Sequence, residues 1–390
     1  MNNTLSIALV TETYPPELNG VSLTVERTLR HLRAAGHRVS LVRPRQQADG
    51  DAAEGTGETL VHGLPLPRYP GLQFGLPAPR RLLRLWQAER PDVVHIVTEG
   101  PLGWSALAVA RHLGIAVTSD YRTHFQKYSG YYRLGVLSWP IAAALRTFHN
   151  RCDATFVPTR ALAAEMEAQG YRRLVCVGRG VDADLFSPFR RSPMLRARWG
   201  ASEWQPVLMH VGRLAPEKNP LLVRAAFRAV RAERPDALLV WVGDGPMRAR
   251  LERDAEGEIF VGTRRGEDLA RHYASADIFL FPSLSETFGN VVLEAMASAL
   301  PIVAFDNGAA GEHLIDCISA RVVPVAAGEA GFIDAARSLA LHSAQQRFLG
   351  AVARDTTRRL TWPQVLERFE AELATCAARH SPVGHVAPAA

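Results

Sequence analysis

Between Ile278 and Ala304 the chain passes through strand, polar loop, helix and strand in quick succession. Ile278-Phe279-Leu280-Phe281 is an apolar run of strand length, the kind that lies in a parallel sheet buried on both faces. Pro282 and the hydroxyl and acidic residues after it (Ser283, Ser285, Glu286) break the run. Val291, Val292, Leu293, Ala295 and Met296 then supply the apolar face of a helix that Pro301 ends. The helix opens at Phe288-Gly289-Asn290. Helix N-termini leave backbone N–H groups unpaired and carry partial positive charge, so this one is built to hold an anion. Gly289 lets a ligand approach the backbone closely. Glu286 lies just before the helix and Glu294 about two turns into it, so two carboxylates bracket whatever is bound. Carboxylates accept hydrogen bonds and sugar hydroxyls donate them. An anionic centre with hydroxylated groups on both sides describes a nucleotide sugar.

Glu286 and Glu294, followed by Ala295-Met296-Ala297 and Leu300-Pro301-Ile302-Val303-Ala304, resemble the signature of the retaining glycosyltransferases of family 4. The resemblance covers nearly the whole chain and is sharpest from Val207 to Ala304. It implies an α/β protein of GT-B fold, with two Rossmann-like, doubly wound domains and a cleft between them. One departure is Ala299, where the family usually has Gly. A left-handed cap at the end of the helix would cost Ala about 1 kcal/mol, a matter of local stability rather than chemistry.

At 390 residues the chain has room for two domains, each with its own core. No segment reaches the roughly 18 consecutive apolar residues of a membrane span. The start, Met1-Asn2-Asn3-Thr4, lacks the basic opening of a signal peptide. Cys152, Cys176, Cys317 and Cys376 share no metal-like spacing and read as reduced thiols, so the expected location is the cytoplasm. The formal charge of +6 fits nucleic acid, an anionic membrane face or an anionic small substrate. The basic residues are scattered through helices without a zinc-finger or RNA-binding signature, which disfavours nucleic acid.

Leu5–Val10, the helical pattern Val21–Ala35 and Arg38–Val42 form a strand–helix–strand unit that starts a doubly wound sheet. No G-x-G-x-x-G follows the first strand, so the dinucleotide fingerprint is absent. By the resemblance, Gly20 in the first loop approaches the donor phosphate. Residues 46–59 read as a mobile surface excursion. Later strands end in polar clusters, Thr98-Glu99-Gly100-Pro101 and Asp120-Tyr121-Arg122-Thr123-His124, where open α/β sheets place ligands. The resemblance puts His124 close to the transferred sugar. Tyr14, Glu99, Tyr121 and Arg122 are candidate acceptor contacts. Residues 127–151 interleave aromatic and basic residues beside an amphipathic pattern, which fits either a membrane interface or a helix packed on the first domain. In the first reading the acceptor is lipid-linked and the protein sits on the inner face of the membrane.

The basic, proline-interrupted tract 187–205 marks the boundary between a first domain of residues 1–190 and a second of residues 200–355. By the resemblance, a final helix at about 360–376 crosses back to the first domain; residues 380–390 read as a disordered tail. The second domain opens with strand Val207–Val211 and then Gly212-Arg213-Leu214-Ala215-Pro216-Glu217-Lys218. Arg offers a fork of donors and Lys a compact charge, so Arg213 and Lys218 together neutralise a diphosphate. Family members have an Arg and a Lys at the matching positions. The strand ending at Val261-Gly262 meets the nucleotide base in the family.

The resemblance thus implies a metal-independent hexosyltransferase without cofactor. Glu294 holds the ribose, Glu286 the hexose, and Phe288 to Val291 contact the donor, with the amides near Gly289 and Asn290 at its diphosphate. The loop Thr287–Val292 is closest to GDP-mannose-dependent α-mannosyltransferases acting on glycolipids, and near to glucosyl- and sulfoquinovosyl-transferring relatives that use UDP-sugars. A GT-B epimerase and a non-catalytic sugar-nucleotide-binding subunit are the competing readings.

Overall fold

The computed structural model describes residues 4–15, 20–46, 49, 57–65, 73–122 and 138–380. His124 and the stretch 127–137 lie outside the described residues, as does the tail 381–390.

Two sheets organise the chain. The first runs in the order β3-β2-β1-β6-β7-β8-β9, with β1 Ser6–Val10, β2 Arg38–Pro44, β3 Glu58–Val61, β6 Val93–Ile96, β7 Ala116–Asp120, β8 Ala154–Val157 and β9 Leu174–Cys176. A two-stranded antiparallel hairpin, β4 Gly63–Pro65 and β5 Gln73–Gly75, stands beside it. The second runs β12-β11-β10-β13-β14-β15, with β10 Val207–Val211, β11 Leu238–Val242, β12 Glu258–Gly262, β13 Ile278–Phe281, β14 Ile302–Phe305 and β15 Arg321–Val323. Every pairing within both sheets is parallel. In each the strand order reverses once, between β1 and β6 and between β10 and β13. Such a reversal leaves a crevice at the strands' carboxyl ends, because the flanking helices lie on opposite faces.

Side-chain alternation explains why both faces are covered. Ile7 and Leu9 of β1 pack with Val25, Leu29 and Leu32 of the helix Gly20–Ala34. Ala8 and Val10 point the other way, into Leu102 and Ala106 of the helix Pro101–His112. The second sheet repeats this, with Met209 and Val211 on one face and Leu208 on the other.

The last helix, Trp362–His380, adds Phe369, Leu373, Cys376 and Ala377 to the first-domain core on the β1 side. Glu370 on this helix bonds the ring Nε2 of both His31 and His37 at 3.0 Å. The turn after β9 meets the start of the same helix, where the Val181 N–H donates to the Leu360 carbonyl at 2.8 Å.

Two segments depart from expectation. The excursion read at 46–59 is structured at its ends: Gln46 is buried, Glu58 and Thr59 begin β3, and Arg43 holds Asp49 through two hydrogen bonds of 2.7 and 2.8 Å. The short strand escapes a reading from local composition because its apolar run is only Leu60-Val61. The tract 187–205 is bound to the second domain. Arg196, 3% exposed, donates to the Ser275 carbonyl at 2.8 Å, to Asp277 at 2.9 Å and to the Gln205 carbonyl at 2.7 Å. Its two prolines open helical turns, Pro188–Arg190 and Pro193–Arg198, because proline at the first helical position sacrifices no hydrogen bond.

Candidate active site

At the second-domain switch point the ladder between β10 and β13 pairs Leu208 with Ile278 and Met209 with Phe279. One residue on, a side chain makes the link: His210 Nδ1 lies 3.0 Å from the Leu280 carbonyl. A carbonyl only accepts, so Nδ1 carries the proton. Burial, together with nearby Lys218, lowers the His210 pKa to about 4, which keeps the ring neutral.

Above this floor the loops after β10 and β13 meet. Lys218, at the end of the turn Pro216–Lys218, is ion-paired with Glu286. Ser283 Oγ donates to Glu286 Oε1 at 2.9 Å, and the Asn307 side-chain amide donates to the Ser283 carbonyl at 2.9 Å. Gly289 takes φ +89° as it caps the helix Asn290–Ala297. The Ala309 N–H donates to the Phe288 carbonyl at 2.6 Å. Gly308 is needed there, since a Cβ would stand 2.4 Å from that carbonyl oxygen. Tyr273 OH donates to Glu294 Oε2 at 2.9 Å. Burial pushes the Glu294 carboxyl up to about 7, against the pull of Tyr273 and Arg27.

The first domain faces this wall across a cavity of about 350 Å³. Gly20, Thr24, Tyr121, Arg122, Pro158 and Arg179 line one side; Lys218, Glu286 and the helix start Gly289–Asn290 line the other. A Cβ on Gly20 would stand 3.8 Å from Asn290 Nδ2, so the two domains are close here. Thr287 Oγ1 donates across the cleft to the Arg122 carbonyl at 3.1 Å. Buried Asp120 receives both Arg122 Nε, at 2.7 Å, and Arg122 Nη2, and His95 Nε2 lies 3.4 Å away. Burial works to raise the Asp120 pKa, but Arg122 and His95 hold it well below the usual carboxylate range.

Of the residues singled out from sequence, the cavity brings together Gly20, Tyr121, Arg122, Lys218, Glu286, Phe288, Gly289, Asn290 and Val291. Glu294 lies in an adjoining hollow with Gly20, Arg27, Asn290 and Trp362. Five others stand apart from this cavity. Arg213 lies 3.7 Å from Glu217, its side chain about half exposed. Val261 and Gly262 end β12, two strands away from β10. Tyr14 stacks under Arg43, 5.4 Å from its ring centroid. Glu99 bonds His149 Nε2 at 3.2 Å, and His149 Nδ1 in turn bonds Ser119 Oγ at 3.0 Å. Reading the sequence missed Ser283 and Tyr273, which support the two glutamates, and Arg179, which only the turn Gly178-Arg179-Gly180 signals. Among the described residues, no helix is long and apolar enough to cross a membrane.

Two Rossmann-like domains that meet across a cleft at their switch points make the GT-B architecture of nucleotide-sugar enzymes. The chain belongs to glycosyltransferase family 4: residues 18–185 match the model described as Glycosyltransferase Family 4, and residues 205–342 that described as Glycosyl transferases group 1. It is 36% identical over 369 residues to a GDP-mannose-dependent alpha-mannosyltransferase of Mycobacterium tuberculosis, covering 93% of this chain and 94% of that one. It is 31% identical over 376 residues to a sulfoquinovosyl transferase of Arabidopsis thaliana, covering 91% and 71%. Among solved structures, the sucrose-phosphate synthase of Thermosynechococcus elongatus superposes with a TM-score of 0.76 at 20% identity, over 96% of this chain and all of that one, a likeness of fold. The activity is glycosyl transfer from a nucleotide sugar.

Proposed function

We propose that the chain is a retaining, metal-independent hexosyltransferase that moves mannose from GDP-mannose to a hydroxyl of a glycolipid. The observation that carries this reading is the Lys218–Glu286 pair beside the helix start at the cleft. Each side chain holds the other. An incoming donor separates them: its hexose hydroxyls take Glu286, and its diphosphate takes Lys218 and the N–H groups at Gly289 and Asn290. Arg213 closes on the diphosphate from the same loop. As the glycosidic bond breaks, negative charge grows on the leaving diphosphate, where these groups are already placed to stabilise it. Two cations and a helix end serve the diphosphate in the place a metal would take. The acceptor hydroxyl attacks from the face the nucleotide leaves, so no covalent nucleophile is assigned. His124 is assigned to the transferred sugar, and Tyr121 and Arg122 to the acceptor.

The donor assignment is supported by the loop Thr287–Val292 and by the name of the mycobacterial relative. A thermal-shift panel of GDP-mannose, UDP-glucose, UDP-sulfoquinovose, GDP and UDP tests it, because binding to the folded state raises its melting point. GDP-mannose and GDP should give the largest shifts; larger shifts with the uridine compounds would reassign the donor. A glycolipid acceptor places the protein at the inner face of the membrane. Trp139 supports this, being 76% exposed at the start of the helix Ser138–Asn150, whose Leu145 and Phe148 are buried. Co-sedimentation with anionic vesicles at low salt is the check, and absence of binding removes the membrane claim.

A further inference from the structure

Arg179 sits on the turn after β9, between two glycines. Gly180 is pressed against the chain that enters the last helix, where a Cβ would come within 2.6 Å of the Trp362 backbone. With Val181 bonded to Leu360, this contact pins the turn. The Arg179 side chain is thereby set into the wall of the inter-domain cavity, across from Lys218 and Gly289.

A guanidinium carries five N–H donors and a fixed positive charge. Among the described residues the Arg179 side chain donates once, from Nη1 to the Gly178 carbonyl at 3.3 Å, and has no ion-pair partner. Asp120, the carboxylate whose charge acts on it, is already engaged by Arg122 through Nε and Nη2 and approached by His95. Burial and repulsion from Arg122 press on the Arg179 cation and outweigh the pull of Asp120, bringing its pKa down to about 10, still charged at neutral pH. Around the cavity Arg122 is balanced by Asp120 and Lys218 is paired with Glu286. Among the described residues that line it, Arg179 is the remaining charge. Taking a cation out of water beside a counter-charge that it must share with Arg122 and His95 is unfavourable, and a ligand that brings negative charge relieves it.

We propose that Arg179 is an anion-binding residue contributed by the first domain, which grips an oxyanion brought into the cleft by the substrates. Two sources present that chemistry: the donor diphosphate, which the second domain holds from the opposite wall, and an acidic group on the acceptor. The choice of sources rests on the glycosyl-transfer reading; the anion site itself does not.

The test uses the full chain and the variants Arg179→Gln and Arg179→Lys. Dissociation constants for inorganic pyrophosphate, GDP and UDP are measured by calorimetry, KM for donor and acceptor by initial rates, and the ligand-free melting point alongside. Arg179→Gln should leave the melting point unchanged or raise it, since a charge held out of water beside an already engaged carboxylate is removed. If the diphosphate is the ligand, pyrophosphate and nucleotide binding weaken about tenfold or more, and Arg179→Lys recovers part of the loss. If an acidic acceptor is the ligand, those constants hold and the acceptor KM rises by a similar factor. Unchanged binding and KM values in Arg179→Gln would overturn the assignment. So would a fall in melting point that Arg179→Lys restores with no change in binding, which marks a structural arginine. A wild-type protein that binds pyrophosphate but no nucleoside diphosphate would sink the glycosyl-transfer reading and leave the anion site standing.

Discussion

The two walls of the cleft are built differently. The second-domain wall comes from two loops that follow neighbouring strands, β10 and β13, and each loop is continuous in sequence. The first-domain wall is assembled from separate pieces: Gly20 and Thr24 on the first helix, Tyr121 and Arg122 after β7, Pro158 after β8 and Arg179 after β9. Its Arg122 is tied to buried Asp120 behind it, and farther from the cavity Glu99 is tied to His149. A wall made of contiguous loops carries its chemistry as a motif. A wall made of strand ends carries it only once the sheet has formed.

The contrast is open to attack by mutation. Lys218→Ala should cut transfer at least about a hundredfold, because it removes a charge aimed at the leaving group and leaves Glu286 unpaired. Steady-state kinetics decide this, and a near-normal rate would put the chemistry on the other wall. Gly308→Ala should lower transfer about tenfold or more with little effect on the first domain, since its Cβ meets the Phe288 carbonyl and displaces the helix start. Glu99→Ala should do the reverse. It strands buried His149 and destabilises by about 1–3 kcal/mol, while transfer by the folded enzyme stays within about threefold of wild type. Denaturant titration beside a transfer assay separates the two effects.

Acidity offers a finer probe. Burial raises the Glu294 pKa from an ordinary 4.5 to about 7, so between these values the folded chain keeps a proton that the unfolded chain has released. That contribution to stability is complete below about pH 4.5 and is lost as pH rises to about 7. Glu12, buried against the N-terminus of the helix Pro101–His112, is raised to about 7 and acts in the same direction. Stability should therefore fall across this window, and less steeply in Glu294→Gln. Nucleotide affinity should rise over the same range in the wild type and stay level in Glu294→Gln, as read by calorimetry at several pH values. The smallest effect belongs to Ala299, which takes φ +56°. Ala299→Gly should add about 1 kcal/mol of stability without changing the rate.

Much of this was legible in the residues. Apolar runs such as Ile278–Phe281 announce buried strands, and the left-handed cap expected at Ala299 is present. The loops with Lys218, Glu286 and Gly289 stood out because a diphosphate requires cations, free N–H groups and close backbone approach within short spans. Tyr14 and Glu99 show where that reasoning stops. A residue's place at a strand end was readable, but the direction of its side chain depends on partners far away in sequence, here Arg43 and His149.

Local order along the chain, set by side-chain periodicity and backbone preference, determined the parallel-sheet strands, the helix start and the family signature. The tertiary structure alone decided that Lys218 and Glu286 engage each other, that Tyr273 lies against Glu294, and that Arg179 reaches the cleft with, among the described residues, no ion pair of its own. The reason is physical: charge balance and burial are properties of what surrounds a group in space, and residues distant in sequence supply those surroundings only when the sheets twist them together.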